Sequence, residues 1–240
     1  MVDSSASIAA NLAAVRRRIH DIALRAGRAP HDIELIAVSK TRTLAEVLQA
    51  VAAGQRVFGE NTVQDAMSKI PAVHQPDVRW HFIGHLQSKK ARQIPGVFHW
   101  LHSLDSVKLA RKLSSAMLES GLPDRLECLI QVNVAREASK SGLLPEAVWP
   151  FLDELLRLEL PGLNCRGLMT IGVQGDEALT RQAFSLLREL QQRCRDEFAL
   201  PAFDQLSMGM SDDYAIAIEE GSTMVRVGTA IFGQRPVRSD

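Results

Sequence analysis

The sequence predicts an α/β protein of the closed (β/α)8 (TIM) barrel class, with an additional helix ahead of the first strand. Three observations predict it. Short apolar runs alternate with longer amphipathic segments from about residue 34 to the C-terminus, the pattern of successive βα units. Eight such runs fit into the 240 residues, which is the strand number that closes a barrel. No linker, low-complexity tract or break in composition separates them. One domain over residues 1–240 is therefore expected, rather than two smaller ones or an open doubly wound sheet.

The elements follow in order. Ile8, Leu12, Val15, Ile19 and Ile22 recur at helical spacing, so the N-terminal segment reads as a helix docked on the barrel and closed near Gly27. The first 28 residues are also rich in Ala, Ser and Arg, as transit peptides are, but the regular apolar stripe favours the docked helix. The strands are predicted at Leu35–Ser39, Arg56–Gly59, Trp80–Gly84, Val97–His102, Glu127–Val134, Cys165–Ile171, Gln205–Met208 and Met224–Val227. Between them, Leu44, Val47, Leu48 and Val51 share one helical face, and Val107, Leu109, Ala110, Leu113 and Met117 share another. Such faces exist to cover a sheet.

Composition excludes several function classes. Lys plus Arg and Asp plus Glu both number 28, so no net field draws the chain to nucleic acid or to an anionic membrane. Apolar runs stop well short of the roughly 20 residues a membrane span needs. The three cysteines, Cys128, Cys165 and Cys194, are odd in number and widely spaced, which fits a reducing cytosol and no paired thiol chemistry. His81 and His85 share strand parity but have no third ligand at useful spacing, so no metal site is expected from them or from His99 and His102. Cys128 reads as a small core residue rather than a nucleophile.

Barrel active sites form where the strands end. Strand one ends on Lys40, a residue normally left in water. Strand two runs into "FGEN", strand seven into "LSMGMSDD" and strand eight into "VRVGT", which crowd small residues and amide donors around one rim. Ser207 offers a hydroxyl, Gly209 a close backbone approach, and Gly228 and Thr229 supply amides and a second hydroxyl at the start of a short final helix. Together they suit a phosphate dianion. Strand eight pairs with strand one in a closed barrel, so Lys40 and this cradle are neighbours. A phosphorylated carbonyl compound held there can form a Schiff base with Lys40, and pyridoxal 5′-phosphate fits both ends. Arg226, two residues before Gly228, points to the barrel axis, where it faces the pyridine nitrogen and keeps it unprotonated. A Schiff-base aldolase acting on a sugar phosphate uses the same parts and stays open on this reading.

The motifs "AVSKT", "FGENTVQDA", "WHFIGHLQSKK", "HSLDS", "QVNVAREASKSG", "GLMTIG" and "LSMGMSDDYAIAIEEGSTMVRVGTAIFG" closely resemble the pyridoxal phosphate homeostasis protein family, over about Glu34 to Gly233. The resemblance implies an alanine racemase N-terminal-domain-like barrel (fold type III of the pyridoxal phosphate proteins), monomeric or weakly associated, with the cofactor held as an internal aldimine. It implies Lys40 as the aldimine lysine, Ser207, Met208, Gly228 and Thr229 as phosphate contacts, Arg226 as the pyridine partner and Asn61 as a residue beside the ring. Lys140 resembles a further family lysine near the site. Ala215 and Lys89 depart from the residues many relatives carry there.

Racemisation needs a base on each face of the Cα carbanion, and beside Lys40 only Tyr214 is a tyrosine, predicted on the helix after strand seven and pointing to the barrel exterior or rim. The sequence closes seven residues after Gly233, so no second domain is expected to supply the missing base. The expectation is therefore a cytoplasmic protein without a dedicated reaction that buffers pyridoxal 5′-phosphate or delivers it to apo-enzymes. An amino-acid racemase or lyase is the rival.

Overall fold

Runs of branched and aromatic residues, each cut short by Gly, Ser, Thr or Asn, form eight parallel strands that close on themselves in sequential order. The computed structural model describes residues 7–137, 140–173 and 175–234. The strands are β1 (Glu34–Val38), β2 (Val57–Glu60), β3 (Arg79–Phe82), β4 (Trp100–Leu104), β5 (Leu126–Gln131), β6 (Leu163–Met169), β7 (Gln205–Ser207) and β8 (Met224–Val227). The helices are α1 (Ile8–Arg25), α2 (Leu44–Ala52), α3 (Val63–Met67), α4 (Val107–Glu119), α5 (Val148–Arg157), α6 (Glu177–Glu197), α7 (Tyr214–Glu219) and α8 (Thr229–Phe232). Side-chain caps fix several starts: Thr43 and Glu46 form a capping box on α2, and Thr62, Ser106 and Asp176 cap α3, α4 and α6.

Two predicted features shift. Strand four begins at Trp100 rather than Val97, because Val97 and Phe98 both donate their amides to Ile94 O and so turn before the sheet is reached. After β3 only a 3-10 helix, Ser88–Gln93, follows, so the third repeat has no α-helix of its own.

The N-terminal helix docks as its apolar stripe requires. Leu12, Val15, Ile19, Ile22 and Ala23 are buried against α2, α7 and α8. Residues 1–6 of the segment read as a possible presequence lie outside the described residues. α7 and α8 are only six and four residues long, so they leave the β8–β1 seam thinly covered. α1 completes that cover. Arg28, just past it, donates to Ile218 O at 2.9 Å and Ser222 O at 2.7 Å, and Asn11 donates to Ile231 O at 3.0 Å.

Inside the barrel, Ile36, Trp100, Leu129, Met169 and Met224 pack as a separate apolar cluster. Two residues further along the strands the interior turns polar, with Arg226 beyond Met224 and His102 beyond Trp100. The polar layer lies toward the C-terminal mouth.

Gly209 sits in the β7–α7 loop at φ +94°, and a Cβ there would come within 2.5 Å of Ala217 Cβ and 2.9 Å of Tyr214 Cα. The packing of α7 therefore requires a glycine at this position. Gly209→Ala should destabilise the fold by roughly 2–3 kcal/mol, read from the urea midpoint at constant m-value.

Candidate functional site

Closure places the site. β1 pairs with β8 through Ile36↔Arg226 and Ala37↔Val227, so the chain leaving β1 at Val38 and the chain leaving β8 at Val227 emerge side by side. Between them opens a cavity of about 310 Å³. It gathers Lys40, Arg226, Gly228 and Thr229, with Met210 and Ser211 from the β7–α7 loop, while Val38 and Ile83 form apolar walls. Gly228 must lie close to β1: a Cβ there would stand 3.3 Å from Val38 O. A larger hollow of about 450 Å³ lies at the opposite end of the strands. There Arg16 is occupied by the carbonyls of Ala53 and Gly54, and Arg56 by Val51 O and Asp77, so it presents structural cations rather than reactive ones.

Arg226 is buried on the cavity floor, and a hydrogen-bonded column holds it. One guanidinium nitrogen donates to Ser207 Oγ at 2.6 Å and another to Thr170 O at 2.8 Å. Ser207 Oγ lies 2.8 Å from His102 Nδ1, and His102 Nε2 lies 3.0 Å from His81 Nδ1. The donors can be assigned because arginine only donates. Ser207 accepts from Arg226, and His102 Nδ1 is the acceptor its own proton meets among the described residues; with that assignment His102 donates from Nε2 to His81 Nδ1. The His81 proton is left on Nε2, which is buried without a partner. Neutral rings are what this chain needs. Burial holds His81 down at about 3, with His99 and Arg79 acting in the same sense. Burial, then the charges of His81 and Arg226, holds His102 well below the usual imidazole range. Burial also lowers Arg226, but only to about 10, so it stays charged at neutral pH.

The other sequence-predicted residues separate into groups. Lys40, Arg226, Gly228 and Thr229 come together around the cavity. Ser207 and Met208 are fully buried and are not among its walls; the Ser207 hydroxyl is committed to Arg226 and His102, and Met208 donates its amide to Met224 O. Asn61 stands at the rim, half-buried, where Gly84 packs on its backbone so closely that a Cβ would fall 2.1 Å from Asn61 O. It too is outside the wall. Lys140 bonds Glu137 at 2.6 Å and Gly172 O at 3.1 Å on the β5–β6 side of the mouth. Tyr214 is neither at the rim nor exposed: it is 3 % exposed, beneath α1, with the Arg18 guanidinium 5.4 Å from its ring centre. His85 lies 3.6 Å from Asp105, away from His81, and Cys128 is a core residue whose thiol burial pushes far up. Among the described residues, no group of three or more His, Cys, Asp or Glu is placed to hold a metal ion. Sequence reasoning missed Ser211, because nothing in a loop's periodicity says which hydroxyl faces the cavity.

The column makes a measurable statement. In ¹⁵N-histidine spectra, the rings of His81 and His102 should be neutral Nε2–H tautomers that do not titrate between pH 7.5 and 5. Folded pKa values below the unfolded value of about 6.5 mean that the unfolded chain takes up more protons, so these rings cost stability as pH falls below about 6.5. His102→Gln should therefore lose less stability than wild type on going from pH 7 to pH 5, in paired urea titrations.

Comparison with known proteins places the barrel in a family. The family model "Alanine racemase, N-terminal domain" matches residues 10–236. The pyridoxal phosphate homeostasis protein of Pseudomonas aeruginosa is 47% identical over 230 residues, covering 95% of this chain and 96% of that protein. PipY of Synechococcus elongatus PCC7942, solved with PLP bound, superposes with a TM-score of 0.82 at 36% identity over 95% of this chain and 100% of that one. Alanine racemase of Clostridium difficile 630 shares the fold alone, with a TM-score of 0.71 at 13% identity over 93% of this chain and 57% of that chain. The chain therefore belongs to the pyridoxal phosphate homeostasis protein family, built on the alanine racemase N-terminal domain.

Proposed function

We propose that this protein binds pyridoxal 5′-phosphate through Lys40 and serves in intracellular vitamin B6 homeostasis, holding or handing on the cofactor without a dedicated reaction. The observation that carries the reading is the emergence of Lys40 and Gly228–Thr229 side by side around one cavity, with Arg226 on its floor. The names of the relatives, and the PLP in PipY, support it.

The residues present fit the group. Pyridoxal 5′-phosphate supplies an aldehyde able to condense with an amine, an aromatic nitrogen and a phosphate dianion. Lys40 presents the amine. The first amides of α8 have no acceptor within the helix and, with the hydroxyls of Thr229 and Ser211, would hold the phosphate. Ser211 replaces Ser207 and Met208 in that role. Arg226 would face the ring nitrogen, and its positive charge would disfavour protonation of that nitrogen. Val38 and Ile83 would give the ring an apolar bed, and Asn61 would act only by shaping the rim.

The absence of a dedicated reaction rests on the location of Tyr214, outside the sheet under Arg18 and out of reach of the mouth. Asp212 on the lip of the cavity is the observation that keeps the rival alive, since a carboxylate lining the same cavity as Lys40 offers a second base for a racemase or lyase. The reading includes a single unit in a reducing cytosol, in keeping with three unpaired thiols, acting as a monomer toward pyridoxal-phosphate-dependent apo-enzymes. Among the described residues no helix is long and apolar enough to cross a membrane.

Incubation with pyridoxal 5′-phosphate, borohydride reduction and peptide mapping should place the label on Lys40, and Lys40→Ala should retain none. Ser211→Ala and Thr229→Val should each weaken binding by about 1 kcal/mol or more. Arg226→Ala should change the absorbance of the bound cofactor more than its affinity. Cα deuterium exchange with any L-amino acid at about 1 per second or faster would instead establish an enzyme.

A further inference from the structure

Lys69 is one of the largest fully buried side chains among the described residues, yet it bears a charge. It follows α3, on the outer side of β2. Its ammonium has three donors, and three acceptors meet them: Ser39 O at 2.8 Å, Glu60 Oε1 at 2.8 Å and Asp65 Oδ1 at 2.9 Å. The same carboxylates reach back to the chain around Lys40. Ser39 donates its hydroxyl to Glu60 Oε1 at 2.6 Å, and Asp65 Oδ2 accepts the Thr41 amide at 2.8 Å.

We infer that Lys69, with Glu60 and Asp65, is a positioning cluster for Lys40, gripping the residue on each side of it so that the Lys40 amine keeps a fixed reach to the opposite wall of the cavity. The inference rests on the proposed attachment at Lys40. Three arguments carry it. Residue 39 is fixed at every polar atom: its amide donates to Gly59 O at 3.0 Å, its carbonyl accepts from Lys69 and from the Arg42 amide at 3.0 Å, and its hydroxyl meets Glu60. Residue 41 is a threonine at φ +64°, where a β-branched side chain rarely sits, so its surroundings must impose the conformation. The Asp65 bond does so.

The third argument is energetic. Burying the Lys69 ammonium with the Glu60 carboxyl, and half-burying Asp65 beside them, is a poor route to stability, since apolar residues of like volume pack as well or better. A lysine tip on four rotatable bonds, by contrast, is placed only if its backbone is, and attack on a carbonyl depends steeply on that placement. Burial pushes Glu60 up to about 7, against the opposing bonds from Lys69 and Ser39, so near neutrality the cluster approaches charge balance and tolerates its dry site.

The test separates placement of the amine from integrity of the cavity. Pyridoxine 5′-phosphate has the ring and phosphate of pyridoxal 5′-phosphate but a hydroxymethyl group in place of the aldehyde. In Lys69→Met and Asp65→Asn its affinity should stay within twofold of wild type, while the rate at which pyridoxal 5′-phosphate becomes borohydride-trappable on Lys40 falls tenfold or more. Wild-type trapping rates, or equal losses for both ligands, would overturn the inference. If Lys69→Met fails to fold, Asp65→Asn decides, because it keeps the Lys69–Glu60 pair. There, hydrogen exchange without ligand should accelerate at least tenfold at the Thr41 amide and less than threefold at the Ser39 amide; an unchanged Thr41 rate overturns the proposal. If wild type itself takes no label at Lys40, the reading of the site fails, while the exchange arm still tests the brace.

Discussion

The pairing of β8 with β1 is the constraint on which the molecule depends. Residues 40 and 228 are far apart in sequence, and in an open sheet of the same strands they would lie at opposite edges. Closure makes them neighbours, with Ile36 opposite Arg226 and Ala37 opposite Val227. The cavity sits on that seam, and so does the weakest cover, since α7 and α8 are too short to shield it. α1 therefore belongs to the site as much as to the fold: its buried stripe seals the outside of the two strands whose ends make the mouth.

Charge is buried on both sides of the seam, and each side solves the problem differently. Inside, Arg226 spends two contacts on Ser207 and Thr170, and the remaining polarity runs off through two neutral imidazoles. An arginine offers five donors, so a part of the fork remains to face the cavity. Outside, Lys69 spends all three donors and offers nothing outward. The first arrangement presents a charge to whatever enters the mouth, and the second uses charge to stiffen the chain beside it. Ser207 links the two considerations: a hydroxyl that must accept from Arg226 and donate to His102 has no capacity left for an anion.

The fold was legible because period and count survive in a single sequence, and four cavity residues were legible because strand ends in a barrel share one rim. Lys40, Arg226, Gly228 and Thr229 follow from those two rules. Ser207 sits among the contacts of Arg226 and His102, a place that strand ends alone do not reveal. It pairs with Met224, and Met224 and Arg226 point inward, so Ser207 must point inward too; the register contains this, but a list of strand ends does not. Gly209 was legible as a special backbone position and not as to its cause, because the neighbour that forbids a side chain, α7, is close only after folding. Lys69 left no trace at all. In sequence it is one of seven lysines, and only the three acceptors converging on it distinguish it.

On the proposed reading, grip and reactivity come from different residues, and that separation bears on why a barrel of this kind would hold a cofactor rather than use it. Amides and hydroxyls on a phosphate act equally on resting and reacting states, so they raise affinity without raising a rate. An arginine opposite the ring nitrogen strengthens the hold further and weakens the ring as an electron sink. What would convert such a site into a catalyst is a second base facing Lys40 across the substrate. Tyr214, the chain's sole tyrosine, is spent beneath Arg18 on the far side of the sheet. Asp212 is then the group on which the distinction turns, and it lies exposed on the lip of the cavity rather than on its floor. On that reading the site would bind the cofactor firmly, exchange it through a reversible bond to one amine, and act little on the Cα of a visiting amine.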